Sequence, residues 1–79
     1  MMAEDVEKRE AALHQARHLM QAGISASLAD NVEEALKFFA SAARRFDELQ
    51  NQTNAGIARG WLEGLRDRER QRALTTAHL

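Results

Sequence analysis

The sequence has no cysteine, no proline and no tyrosine; it has only four glycines, and aromatic residues make up 5% of it. Without cysteine there is no disulfide to staple a small fold and no thiolate to hold a metal. Without proline, nothing forces a break inside a long helix. No stretch approaches the roughly 20 consecutive apolar residues that crossing a bilayer requires. Residues Met1 to Glu10 are acidic and mixed in charge, with no apolar segment of the kind that directs secretion. The expected location is therefore cytoplasmic, with no membrane insertion. An excess of one charge is missing as well: the formal net charge is -1 with 29% charged residues of both signs. Such a chain has no overall field for gathering nucleic acid or anionic lipid, so nucleic acid is not the expected partner.

What remains is helical periodicity. The 79 residues leave room for one domain spanning 1–79 with a thin core, so help from a partner or a second copy is a natural expectation. Val6, Leu13, Ala16, Met20, Ile24 and Leu28 fall in one stripe flanked by Ala12 and Leu19, and Glu4, Asp5 and Glu7 offset the positive end of the helix dipole. This first helix ends either at Gly23, as a left-handed cap, or near Leu28. The later stop is favoured because Asp30 and Glu33 have capping-box spacing for the next helix. In the second helix Val32, Ala35, Phe39, Ala42, Phe46 and Leu49 alternate by three and four, widened by Leu36 and Ala43, with Phe38 at the edge. The polar run Gln50 to Asn54 is short enough to require an antiparallel return, with Thr53 or Asn54 as N-cap. The third helix begins near Ala55 and places Ile57, Ala58, Trp61, Leu62 and Leu65 on one side; beyond Leu65 that side turns polar at Arg68, Glu69 and Arg72. The fold expected is all-α, an antiparallel three-helix bundle with helices at about 4–28, 31–50 and 54–74, a frayed tail at 75–79, and self-association as an open alternative.

Gly56, Gly60 and Gly64 are the most informative residues for function, since each interior helix glycine costs about 0.8–1.0 kcal/mol relative to alanine. Spaced by four, they form a strip beside Ile57 and Trp61 that either receives bulky side chains of the other helices or lines a groove for a second helix. Trp61 is the only tryptophan; core is its first expectation, and a reachable edge would make it and Leu65 anchors for a ligand. Phe38, Phe39 and Phe46 read as core and imply no cofactor. His14 and His18 lie one turn apart beside Glu10, but two ligands on an exposed helix do not make a metal site. Ser25, Ser27 and Ser41 lack a base and orienter, so no catalytic residue is expected. Glu63, Asp67 and Glu69 interleave with Arg59, Arg66, Arg68, Arg70 and Arg72, which reads as a solvated face and not as a phosphate track.

The stretch from Leu19-Met20-Gln21-Ala22-Gly23-Ile24 through Asn31-Val32-Glu33-Glu34-Ala35-Leu36-Lys37-Phe38-Phe39, followed by Ala42 and Phe46, resembles the first helical junction of microtubule-interacting and trafficking (MIT) domains. Leu65 and Glu69 fall where that family has a leucine and an acidic residue. The resemblance covers most of Val6 to Arg70 and implies a three-helix bundle that binds helical or extended peptides in grooves beside its third helix. The chain departs from the family in a shorter second loop, in Val32 for the usual tyrosine, and in Gly60 and Gly64. Its Glu-Ala-Leu and small/aromatic pattern is also similar to tetratricopeptide repeats. Phe46, Leu49, Gln50, Gln52 and Ala55 are similar to small helical co-chaperones of type III secretion.

Every one of these resemblances implies protein binding. The expectation is a non-enzymatic interaction module that takes a partner helix or peptide at Phe38, Gly60, Trp61, Gly64, Leu65, Arg68 and Glu69, with no metal and no cofactor. The alternatives are a homodimeric assembly protein, a phage- or plasmid-encoded inhibitor, or a secretion co-chaperone.

Overall fold

A computed structural model describes the backbone of residues 2–78 and the side chains of residues 5–75. The protein is an all-α, antiparallel three-helix bundle: α1 spans Met2–Leu28, α2 Val32–Glu48 and α3 Gln52–His78. Helix α1 ends at Leu28 and runs unbroken through Gly23, whose φ is not positive. Helix α3 starts two residues before the expected position and continues past 74. The frayed tail expected at 75–79 falls mainly on residues 76–79, whose side chains lie outside the described set.

Both turns have the same construction. Asp30 and Gln50 adopt left-handed backbone, at φ 61° and 58°. The Asn31 N–H donates to the Ala26 carbonyl at 2.8 Å and the Asp30 N–H to Ser27, while Asn51 donates to Phe46 at 2.8 Å and Gln50 to Asp47. This is the Schellman arrangement, which satisfies carbonyls that a helix end leaves open. Each asparagine then starts the next helix, its carbonyl accepting from Ala35 or Ala55. The N-cap of α3 is therefore Asn51, not Thr53 or Asn54; its side-chain Oδ1 accepts the Asn54 N–H at 3.2 Å. Asn31 makes no side-chain cap bond, and Asp30 closes α1 where a capping box with Glu33 had been expected.

Helix α2 packs against both neighbours, whereas α1 and α3 approach each other little directly. Two buried clusters result. Ala16, Ala42, Ala43, Phe46, Ala55 and Ala58 form one near the α2–α3 turn, and Ala35, Phe39, Leu62 and Leu65 form the other, with Met20 packed against both. Among the described residues only Phe39 and Phe46 are large and fully buried. The predicted face of α2 is the observed one, with Val32, Leu36 and Leu49 half-buried at its margins. Two residues of the α1 stripe do not reach the core: Leu28 is 84% exposed and Val6 53%. Leu28 sits on the last turn, beyond the start of α2, and Val6 lies where α1 has passed the far end of α2.

The helices are staggered. At about 1.5 Å per residue, α1 and α3 are each near 40 Å long and α2 near 26 Å, yet the molecule extends 62 Å. Arg9 donates to the Leu49 carbonyl at 2.8 Å, fixing that residue of α1 at the α2–α3 turn. Arg72 pairs with Asp30 at 3.5 Å, fixing that residue of α3 at the α1–α2 turn. The N-terminal part of α1 and the C-terminal part of α3 thus project from opposite ends of the bundle.

Candidate functional site

The site begins with a quarter-turn of helix. One step along a helix rotates about 100°, so Ile57 and Trp61, each one residue before Ala58 and Leu62, stand off the buried line. Ala58, Leu62 and Leu65 are buried, but Ile57 is 50% exposed and Trp61 40%. The grouping of all five on one face, and the first expectation of a core tryptophan, are corrected accordingly. Trp61 is anchored by stacking on Phe39, with ring centroids 5.2 Å apart and planes 12° from parallel.

Among the described residues no side chain fills the space over the glycines next to Ile57 and Trp61. A Cβ built on Gly56, Gly60 or Gly64 would meet no heavy atom within 4 Å. Of the two readings of the glycine strip, internal packing is excluded and an open surface is observed. Ile57, Gly60, Trp61, Gly64, Leu65 and Arg68 line a mostly apolar groove of about 360 Å³. Five of the seven residues expected at a partner site are brought together here, and Ile57 joins them. Phe38 and Glu69 do not line the groove: Phe38 is half-buried on α2, and Glu69 pairs with Arg72 at 3.5 Å. The signal that could have found Ile57 is its four-residue step to Trp61.

The glycine that does matter for packing is Gly23. It is buried, and a Cβ there would come within 2.8–3.0 Å of the Phe39 ring. Gly23 of α1, Phe39 of α2 and Trp61 of α3 are thus consecutive contacts across the bundle, and α1 helps to set the position of the groove's aromatic wall.

Other depressions offer less. One of about 400 Å³ at the α2–α3 turn is walled by Arg9, Leu13 and the polar residues Gln50 to Thr53, and Arg9 is already committed to Leu49 there. His14 and His18 lie in a surface depression with Gln15, Leu19 and Arg45. Among the described residues no three His, Cys, Asp or Glu side chains gather to hold a metal ion. Several arginines of α3 engage carboxylates: Arg59 bonds Asp47, Arg70 pairs with Asp67 at 3.6 Å, and Arg72 pairs with Glu69 and Asp30. Among the described residues no helix is long and apolar enough to cross a membrane. The sequence matches no family profile, no curated protein and no solved structure.

Proposed function

We propose that this protein is a non-enzymatic binding module that receives an α-helix of another polypeptide in the groove along α3. One observation carries the reading: Ile57 and Trp61 stand half exposed beside three glycines with empty space over their α-carbons. An exposed aromatic beside a path of close backbone approach is what a partner helix needs for anchorage and contact.

The MIT, tetratricopeptide and co-chaperone resemblances all suggest the same use of a helical face. An adaptor, an inhibitor and a secretion co-chaperone would each use this surface in the same way, and the reading places that work in the cytoplasm.

The test is a photo-crosslinking amino acid at Ile57 in the native host, with the same group at the solvent-facing Glu63 as control. A discrete crosslinked species from position 57, lost on Gly60→Leu, is expected. Equal, diffuse labelling from both positions would sink the proposal. Because the space at Gly60 is open, Gly60→Leu should not lower the monomer's melting temperature, and the gain in helix propensity should raise it.

A further inference from the structure

We draw no further inference here: the strongest candidate, the apolar glycine-lined groove along α3 between Ile57 and Arg68, belongs to the site already described, and nothing in the structure shows what covers it.

Discussion

The protein's four glycines include residues with opposite roles, and the difference can be measured. Gly23 is buried against Phe39, and Phe39 is itself fully buried and stacked on Trp61, so its ring has little freedom to retreat. Alanine at 23 would gain about 1 kcal/mol of helix propensity and lose about 1–3 kcal/mol to overpacking. Gly23→Ala is expected to lower stability in urea melts by about 1 kcal/mol net. Gly56 has no heavy atom near its open side and does not line the groove. Gly56→Ala should therefore raise stability by about 0.8–1 kcal/mol. Equal effects of the two substitutions, in either direction, would mean that the packing around Phe39 is wrong.

At the level of elements, the two turns invite a second comparison. Left-handed backbone costs a residue with a side chain roughly 1–2 kcal/mol, and glycine relieves this at some cost in unfolded-state entropy. Gln50→Gly should stabilise the protein by about 0.5–1 kcal/mol. Asp30→Gly should gain less, because aspartate tolerates this region better than glutamine and because Asp30 pairs with Arg72. Thermal melts of the two variants should rank Gln50→Gly above Asp30→Gly; the reverse order would contradict the turn geometry. The helices themselves were legible in the sequence, since the three-and-four spacing of Ala35, Phe39, Ala42 and Phe46 is local information. The turns were less so: five consecutive polar residues from Gln50 offered several caps, and the choice of Asn51 depends on where the Schellman bonds of α2 fall. Neither the burial of Gly23 nor the omission of Phe38 from the groove was legible, because both depend on contacts between helices. The glycine strip was visible at once, but whether it faced inward or outward depended on a quarter-turn that alternation of apolar residues does not resolve.

For the whole molecule, stagger governs stability. The radius of gyration is 15.4 Å, against about 12 Å for a compact chain of this length. The excess comes from helix that passes beyond the bundle. The ends of α1 and α3 have few buried neighbours, and helices without packing are marginal in water. Amide exchange is expected to be fast before residue 12 and after residue 70, and slow over 35–46 and 55–65. In a dilute sample, protection after residue 70 equal to that of α2 would contradict the lone-chain arrangement.

The stacking of Trp61 on Phe39 has one more consequence. With no tyrosine and no other tryptophan in the chain, all of its indole emission originates at the groove. The colour of that light reports how wet the wall is, and its depolarisation reports how fast the rod tumbles, so occupancy of the site and growth of the particle can be followed together in one unlabelled cuvette.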